Sequence, residues 1–396
     1  MAPAAVRHIF ISCGEASGDR YGAALTAALR SIDPDVRITA LGGRALDAAG
    51  AEIVQDAGDL AVMGFSEVIG ALPAIVKARR RIWRFLESER PDLVVPLDFP
   101  GFNTRVAGKA RKLGVPVFWL IAPQIWAWGA WRLGGFRKRI DRLGTVLPFE
   151  EEFFRQRGFS VFPMGHPLMD DYGGDYPFRQ AQRRREKVLN SRETPITVGI
   201  LPGSRRQELD KLLPILRVAS QAIVGHLGER EVRFVVSAAP GVAPSRISSV
   251  FETRTEVSQL ELPRLLESID LALVCSGTAT LEAALAGVPH ELVYRTGALN
   301  YLLGKRLVKS PYIGLSNLIL GRQTVVEHVQ DHASPLPLAR ALLRWVARPS
   351  ERQRFYGDAM RLRELCGAPG IWERTARTLL AYPDTRAEAA ARGGEA

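Results

Sequence analysis

Cysteine and long apolar runs are both scarce in this chain of 396 residues. The three cysteines, Cys13, Cys275 and Cys366, have no paired spacing, which argues against a disulfide framework or a zinc site and favours a reducing compartment. No stretch approaches the roughly 18 uninterrupted apolar residues that a membrane-spanning helix needs, and the N-terminus lacks a secretory leader. We therefore expect a cytosolic protein that is soluble or at most peripheral to a membrane.

Negative charge is also in deficit, because 53 lysines and arginines face 42 acidic residues and leave a net charge of +11. An excess of this size points to an anionic partner, which is nucleic acid, anionic lipid or a phosphorylated substrate. The basic clusters at 77–84, 132–142 and 179–187 lack the signatures of nucleic-acid-binding modules, so we expect no nucleic acid partner. Solvated helical faces are the plainer explanation for at least the third cluster.

Short apolar runs alternate with helical patterns along the chain, which predicts an α/β fold built from parallel βαβ units. The predicted strands form two series, at 8–13, 37–41, 93–97, 115–120 and 142–147, and then at 196–201, 233–237, 271–275 and 291–294. The stretch between the series is rich in Gly, Pro, Asp and Arg. We predict an N-terminal Rossmann-like domain, a linker with one polar helix, a C-terminal Rossmann-like domain, a C-terminal helix and a disordered tail, over 1–170, 171–190, 191–365, 366–384 and 385–396.

The first strand-to-helix turn has an unusual composition. The sequence GEASGDRYG at 14–22 directly follows the first predicted strand, where an α/β protein normally places a glycine-rich phosphate cradle. Glu15 and Asp19 would repel an anion at this position. This turn is therefore predicted not to hold a dinucleotide.

A turn in the second half of the chain suits phosphate better. In LPGSRRQEL, Gly203 allows a tight turn, and Ser204 with Gln207 fits a capping box that opens a helix. Free N–H groups, the positive end of the helix and Arg205 would then meet at one point. An ordinary capped helix with surface arginines is the alternative.

The sequence SGTATLE, after the predicted strand at 271–275, repeats this arrangement. Ser276, Gly277 and Thr278 would offer hydroxyls and backbone N–H groups at a helix start, and Glu282, one helical turn later, could accept hydrogen bonds from a ribose diol. The alternative for Glu282 is a solvated helix carboxylate. Because ligands of open α/β sheets lie beyond the carboxyl ends of the strands, the two turns together predict a nucleotide diphosphate site in the C-terminal domain.

Nine motifs in a fixed order carry a family resemblance. They are GEASGD, LAVMGFSEVIG, PLDFPGFN, APQIWAW, LPFEEEFF, GHPL, LPGSR, SGTATLE and YIGLSNLILGR. The chain that contains them resembles the lipid-A-disaccharide synthases, which are family 19 glycosyltransferases, from about residue 8 to residue 375. The resemblance implies the GT-B fold, in which two Rossmann-like domains have a cleft between them.

The resemblance also implies a reaction. It is the inverting transfer of 2,3-diacylglucosamine from UDP-2,3-diacylglucosamine to 2,3-diacylglucosamine 1-phosphate, which forms a β-1,6 bond and releases UDP, in lipid A and lipopolysaccharide biosynthesis. No metal and no other cofactor is implied, and the expected location is the cytoplasmic face of the inner membrane.

Two other functions remain open on the sequence. A UDP-N-acetylglucosamine epimerase would share the fold and the nucleotide site but has no use for a basic amphipathic stretch. A non-catalytic lipid- or RNA-binding protein would account for the charge but not for two nucleotide-type turns. The oligomeric state also stays open.

The resemblance implies roles for individual residues. Asp98, which follows the predicted strand at 93–97, matches the aspartate proposed as the general base in the family, although an aspartate there could merely cap a turn. Arg205 would neutralise diphosphate charge, and Asn317 is carried over as a residue near the donor. Glu15 is assigned to the catalytic side as an acceptor for sugar hydroxyls or amides, whereas Asp19 is predicted to cap the helix that begins near residue 17.

Residues 63–86 combine apolar side chains at near-helical spacing with a run of basic residues. This pattern resembles an interfacial helix that inserts among anionic lipids at a membrane surface. An amphipathic helix packed on its own sheet is the alternative. The residues assigned to the membrane or to acyl chains are Met63, Phe65, Val68, Ile69, Leu72, Arg80 and Arg81.

Overall fold

The computed structural model of the chain describes residues 6–60, 65–129, 132–251, 255–297 and 311–382. The chain divides into two compact units. Unit 1 comprises Met1–Asp170 together with Gly370–Ala396, and unit 2 comprises Asp171–Pro369. The chain therefore leaves unit 1 once and returns to it for its last helix.

Unit 1 contains a parallel sheet with its first strand in the interior. The strands are β1 (His8–Cys13), β2 (Arg37–Gly42), β3 (Glu52–Asp56), β4 (Leu93–Leu97), β5 (Phe118–Trp119), β6 (Arg142–Thr145) and β7 (Val161–Pro163). Their order is β3-β2-β1-β4, and bridges from Val94 to Val117 and from Leu97 to Leu120 continue it into β5-β6-β7. Every residue of β4 is buried, as a continuous apolar strand requires when helices cover both faces of a sheet.

Helices follow most strands of unit 1. They are α1 (Ala16–Ile32), α2 (Arg44–Ala48), α3 (Phe65–Glu89), α4 (Pro100–Lys112), α5 (Ile125–Trp128), α6 (Leu133–Arg137), α7 (Pro148–Arg155) and α8 (Leu168–Asp171), the last at the boundary of the units. In α3, Ala78, Ile82 and Leu86 recur at every fourth position and are buried in the core. This half of α3 is therefore an amphipathic helix packed inside its own unit.

Unit 2 repeats the same topology. Its strands are β8 (Ile196–Leu201), β9 (Val232–Ser237), β10 (Thr255–Ser258), β11 (Leu271–Cys275), β12 (His290–Tyr294) and β13 (Glu327–Val329), in the parallel order β10-β9-β8-β11-β12-β13. Its helices are α9 (Asp175–Asn190), α10 (Arg206–Leu227), α11 (Pro244–Ser248), α12 (Leu262–Ser268), α13 (Thr278–Leu285), α14 (Leu315–Leu320), α15 (Pro335–Ala347) and α16 (Pro349–Cys366). The predicted α/β fold with two parallel sheets is confirmed.

Helix α9 occupies most of the stretch that the sequence analysis assigns to a linker. Its Arg185 is fully buried and donates hydrogen bonds to the carbonyl oxygens of Leu266, Ile269 and Ala286 at 2.6 to 3.0 Å. Phe178 of the same helix is also buried. The polar composition of 171–190 hides this packing, because a buried guanidinium satisfied by main-chain carbonyls looks like a solvated cation in the sequence.

The final helix, α17 (Ile371–Leu380), belongs to unit 1. The carboxylate of Asp170 caps it by accepting the N–H groups of Gly370, Ile371 and Trp372 at 2.6 to 3.1 Å. The Trp372 ring lies 5.6 Å from the Tyr21 ring of α1, centroid to centroid. This helix is shorter than the predicted 366–384, and the predicted tail at 385–396 lies outside the described residues.

Candidate functional site

The chain of unit 1 turns sharply after β4, at Asp98 and Phe99. Both residues have a positive φ, 45° and 49°, a conformation that costs a residue other than Gly about 1–3 kcal/mol. The N–H of Asp98 donates to the carbonyl of Leu120 at 3.2 Å, and α4 begins immediately afterwards at Pro100. Asp98 therefore lies at the carboxyl end of β4, the edge at which open α/β sheets bind ligands.

Asn103, in the first turn of α4, holds this strained turn. Its buried side-chain amide donates to the carbonyl oxygens of Asp98 at 2.8 Å, Ser12 at 2.9 Å and Leu97 at 3.2 Å. Its Oδ1 atom accepts the hydroxyl of Ser12 at 2.6 Å. One side chain thus ties α4 to β1 and β4 and positions Asp98, a role that its place in the motif PLDFPGFN does not reveal.

Burial raises the pKa of Asp98 to about 6, against an ordinary value of 3.8. The carboxylate of Glu15 raises this pKa further, whereas a hydrogen bond from the N–H of Phe99 lowers it. A carboxylate with a pKa near 6 is ionised at neutral pH and is a better proton acceptor than an ordinary aspartate. Glu15 is exposed at the N-cap of α1, so both predicted catalytic residues of unit 1 belong to one electrostatic site.

A second titrating carboxyl in unit 1 was missed by the sequence analysis. Glu150 is almost fully buried at the start of α7, where its carboxyl accepts the N–H groups of Val146 and Leu147 at 3.1 and 3.0 Å and the indole N–H of Trp126 at 3.0 Å. Burial outweighs these hydrogen bonds and raises the pKa of Glu150 to about 7, with a smaller contribution from Asp98. The sequence signal was the capping pattern of LPFE, which gives no indication of burial.

The first turn of unit 1 uses its glycine for packing. A Cβ atom on Gly14 would lie 2.0 Å from the ring of Phe99, whereas one on Gly18 would meet Cys13 at an ordinary 3.4 Å. Gly14 therefore makes room for the side chain that follows Asp98.

Asp19 is a capping residue, but it caps a different helix from the one expected. Its carboxylate accepts the N–H groups of Gly43 at 2.6 Å and Ala45 at 2.9 Å, at the start of α2. The predicted cap of α1 is not formed by Asp19, because α1 begins at Ala16 and Asp19 lies within its first turn. The Asp19 carboxylate thus connects the first turn of α1 to the start of α2. Sequence spacing alone cannot show this contact.

In unit 2, the turn after β8 connects this strand to helix α10. Gly203 has a φ of +95°, and Ser204 and Arg205 are exposed. Helix α10 begins one residue later than predicted, so the cap is made by Glu208, which accepts the Arg205 N–H at 3.3 Å, and not by Gln207. Glu208 also forms an ion pair with the Arg205 guanidinium at 3.2 Å.

The second predicted turn follows β11, which pairs directly with β8, so both turns lie at the same edge of the sheet. Gly277 and Thr278 are exposed and Ser276 is half-buried at the start of α13. Glu282 is largely buried, and its carboxylate accepts the hydroxyl of Tyr172 at 2.9 Å. The two turns are thus brought together as expected, while Glu282 is already held by a neighbouring side chain.

Asn317 has no capacity left for a ligand. Its amide donates to the carbonyl of Val325 and to the carboxylate of Glu327, both at 2.9 Å, and its Oδ1 atom accepts the N–H groups of Thr324 at 2.7 Å and Val325 at 3.1 Å. Glu327 in turn accepts the N–H of Gly314 at 3.0 Å. Asn317 therefore acts through the loop that it holds, and any role near the donor is one of positioning.

The predicted membrane residues are only partly visible. Met63 lies outside the described residues, and so do the side chains of Phe65, Val68, Ile69 and Leu72. Arg80 and Arg81 are exposed on α3, and Trp83 is half-buried against the core. Pro73 lies inside α3, which begins at Phe65.

Within the residues that the structure describes, membrane-spanning helices and metal-binding clusters are both absent. In this part of the chain no helix is long and apolar enough to cross a membrane. The same residues contain no group of three or more His, Cys, Asp or Glu side chains that could hold a metal ion. The DxD-like sequence around Asp33 is a turn, in which the Asp33 carboxylate accepts the N–H of Asp35 at 3.1 Å.

Comparison with known proteins decides the family. A family model described as lipid-A-disaccharide synthetase matches residues 9–365. The lipid-A-disaccharide synthase of Syntrophus aciditrophicus is 36% identical over 383 residues, which cover 93% of this chain and 96% of that protein. The chain belongs to the lipid-A-disaccharide synthase family. It is thus a member of a glycosyltransferase family, as the nine motifs indicate.

Solved structures agree on the fold of this family member. The calicheamicin glycosyltransferase matches with a TM-score of 0.59 at 16% identity and covers 95% of this chain and 99% of its own. A UDP-GlcNAc 2-epimerase from Neisseria meningitidis, bound to UDP-GlcNAc, gives the same TM-score at 13% identity and covers 94% and 99%. The fold is GT-B, as predicted. Because transferases and epimerases share it, the family match and not the fold favours the transferase.

Proposed function

We propose that this chain transfers 2,3-diacylglucosamine from UDP-2,3-diacylglucosamine to 2,3-diacylglucosamine 1-phosphate, with UDP as the second product. Membership of the lipid-A-disaccharide synthase family supports the reaction. The observation that carries the mechanism is the Asp98 turn, which holds a half-buried carboxyl with a pKa of about 6 at the carboxyl end of β4. A strained residue at a ligand-binding edge is the kind of feature that a protein keeps for function.

In the proposed reaction, the oxygen of the acceptor 6-hydroxyl bonds to the anomeric carbon of the donor sugar. The bond from that carbon to the β-phosphate oxygen of UDP breaks, and its electron pair stays on UDP. The hydroxyl proton passes to the carboxylate of Asp98, which acts as the general base. Attack opposite to the leaving group inverts the configuration and produces the β-linkage.

Unit 2 supplies the donor site in this proposal. The diphosphate lies against the backbone N–H groups of the turns at Gly203 and Gly277, where the N-termini of α10 and α13 favour negative charge. Arg205 stabilises the charge that develops on the departing UDP. Glu282 accepts the ribose hydroxyls while Tyr172 holds its carboxylate in place.

Unit 1 supplies the acceptor side. Glu15, exposed beside Asp98, accepts hydrogen bonds from the sugar or its amides. The exposed Arg80 and Arg81 of α3 contact anionic headgroups, so that the protein works peripherally on the cytoplasmic face of the inner membrane. Reversing both charges should lower binding to vesicles that contain phosphatidylglycerol, and unchanged binding would return this helix to a purely structural role.

The test of the reaction uses the purified chain with both lipid substrates in detergent micelles, and follows UDP release together with the mass of the lipid product. We expect one disaccharide monophosphate for each UDP released. Asp98→Asn should lose about 100- to 10,000-fold in turnover while UDP affinity is retained. Asp47→Asn, an exposed aspartate on α2, is the matched control and should turn over normally.

The other outcomes are equally informative. UDP release without a disaccharide would point to hydrolysis, and an epimerised UDP-sugar would support the epimerase alternative. Near-normal turnover of a folded Asp98→Asn variant would remove Asp98 as the base.

A further inference from the structure

An open cavity of about 430 Å³ lies beside the Asp98 turn in unit 1. Its lining begins at Pro100 and Gly101, two and three residues after Asp98 in the chain, and continues over Pro123 and Ile125. The cavity therefore starts where α4 leaves the proposed catalytic turn. The proposed proton transfer to Asp98 does not involve this cavity.

Three arginines from different elements converge on this cavity. Arg105 comes from α4, Arg132 lies at the N-cap of α6, and Arg139 follows α6. The Arg139 side chain lies against α4, where a Cβ atom added to Gly108 would make an ordinary contact with its Nε atom at 3.4 Å. The arrangement is thus produced by packing between α4 and the α6 region and is not a chance run of charges along one helix.

Arg105 and Arg139 have no carboxylate partner in the part of the chain that the structure describes. Among these residues, no Asp or Glu lines the cavity and none forms an ion pair with either arginine. Arg139 has one internal partner, the carbonyl of Gly135, to which its Nη1 atom donates at 2.9 Å. By contrast, two basic residues farther along α4 are paired, Lys109 with Glu87 and Arg111 with Asp141.

We propose that this cavity binds the phosphate monoester of the acylated sugar acceptor. Arginine forks match a phosphate group with paired, charge-assisted hydrogen bonds. The prolines and Ile125 provide an apolar wall for the sugar ring and the start of an acyl chain. The proposal rests on the proposed function, since it assigns a place to the phosphate of the acceptor whose hydroxyl faces Asp98.

The surroundings of the cavity give it an approach route. A larger cavity of about 690 Å³ shares Thr104, Arg105 and Arg139 with it, and a third of about 450 Å³ shares Arg105 and is also lined by Arg80 of α3. Arg105 therefore connects the exposed basic face of α3 to the catalytic turn. A phosphorylated lipid taken from the membrane side moves along these cations until it reaches Arg105 and Arg139.

The test compares two lipids on the full chain in neutral detergent micelles. These are 2,3-diacylglucosamine 1-phosphate and the same lipid without its phosphate. We expect the wild-type chain to bind the phosphorylated lipid at least about tenfold more tightly, and Arg105→Gln and Arg139→Gln each to lose most of that preference. Affinity for the phosphate-free lipid should be unchanged in both variants.

Lys112→Gln is the matched control, because Lys112 is on the same helix but lines only the larger, outer cavity. It should keep the phosphate preference. An equal loss in all three variants would mean diffuse attraction and would overturn the proposal, as would an unchanged preference in Arg105→Gln. If Arg105→Gln instead weakens only the binding of phosphatidylglycerol vesicles, the cavity serves membrane headgroups and the proposal is wrong.

Turnover, measured in parallel, separates this inference from the proposed function. A wild-type chain that prefers the phosphorylated lipid but forms no disaccharide would contradict the proposed transfer while leaving the phosphate site in place. A wild-type chain with full turnover but no preference for the phosphorylated lipid would support the proposed transfer and contradict the phosphate site.

Discussion

The side-chain amide of Asn103 donates a hydrogen bond to the main-chain carbonyl of Asp98 at 2.8 Å. Asp98 is the residue that leaves β4 in a left-handed conformation, so this bond fixes the direction in which its carboxyl points. The same amide also reaches β1 through the carbonyl of Ser12. The candidate base is therefore positioned by the sheet itself through one buried side chain.

Replacing Asn103 should disturb both stability and catalysis. Asn103→Leu leaves buried carbonyl oxygens without a donor, and we expect a loss of about 2–4 kcal/mol in the free energy of unfolding. Turnover should fall by more than the acceptor KM rises, because Asp98 loses its orientation. Ser12→Ala is the control, since it removes only the bond to Asn103 Oδ1 and should cost about 1 kcal/mol. Equal effects of the two variants in urea unfolding would contradict this account.

The pH dependence of turnover should report the pKa of Asp98. A general base works when it has lost its proton, so kcat/KM should rise with pH, with its midpoint at about 6, and then level off. Glu15→Gln removes a neighbouring negative charge that raises this pKa, so the midpoint should move to lower pH. A profile of the Glu15→Gln variant that keeps its midpoint would show that another group limits the rate at low pH.

Glu150 should make unit 1 less stable as the pH rises. Its folded pKa is raised from 4.5 to about 7, so the folded state holds a proton that the unfolded state has released between these values. The contribution of Glu150 to the free energy of unfolding is fully present below about pH 4.5. It is lost as the pH rises to 7, and the loss is on the order of 3 kcal/mol. Asp98 acts in the same direction between 3.8 and about 6.

Urea unfolding at several pH values measures this effect. Glu150→Gln should reduce the slope of stability against pH, whatever its effect on stability itself. Glu151→Gln, which changes the partly exposed neighbour that pairs with Arg155, should keep the slope of the wild-type chain. Identical slopes for all three chains would mean that Glu150 is ionised in the folded state.

Gly14 should tolerate no side chain. In Gly14→Ala the new Cβ would overlap the ring of Phe99, which must move and carry the Asp98 turn with it. We expect a loss of about 1–3 kcal/mol in stability together with lower turnover. Gly18→Ala, four residues along in α1, meets only an ordinary contact and should change stability by less than about 1 kcal/mol. Thermal unfolding of the Gly14→Ala and Gly18→Ala variants measures this difference in stability.

Arg205 and Arg206 allow a matched test of the donor site. Both arginines are exposed at the start of α10. Arg205 is the N-cap residue and forms an ion pair with Glu208, whereas Arg206 lies inside the helix and forms an ion pair with Asp210. Arg205→Gln should weaken UDP binding by roughly tenfold and lower turnover further, while Arg206→Gln should change either by less than about threefold. Calorimetric titration with UDP would contradict the assignment if the two variants behaved alike.

Much of the fold could be predicted from the sequence, because buried parallel strands consist of continuous runs of apolar residues. The runs at 8–13, 93–97, 196–201 and 271–275 coincide with β1, β4, β8 and β11. The strands that were missed, β3, β7, β10 and β13, are short and partly exposed at sheet edges, where polar residues are tolerated.

The candidate site could be predicted only in part. Strand-to-helix turns are local, so Asp98, Gly203 and Gly277 were found from a few residues each. The partners of these turns are distant in sequence: Asn103 Oδ1 meets Ser12, 91 residues away, and Asp19 caps a helix at residues 43–45. Glu150 resembles any capping glutamate until its burial is known.

By itself, the sequence determined the parallel α/β order, the turns that carry the chemistry and, through its motifs, the family. These features depend on periodicity and on a few adjacent residues, which a linear pattern contains. Only the tertiary structure decided that Asp98 is strained and half-buried, that Glu150 is buried beside Trp126, and that three arginines line one cavity. Burial and charge balance depend on residues that come together only after folding, and these decide the pKa of a carboxyl and the ligand of a pocket.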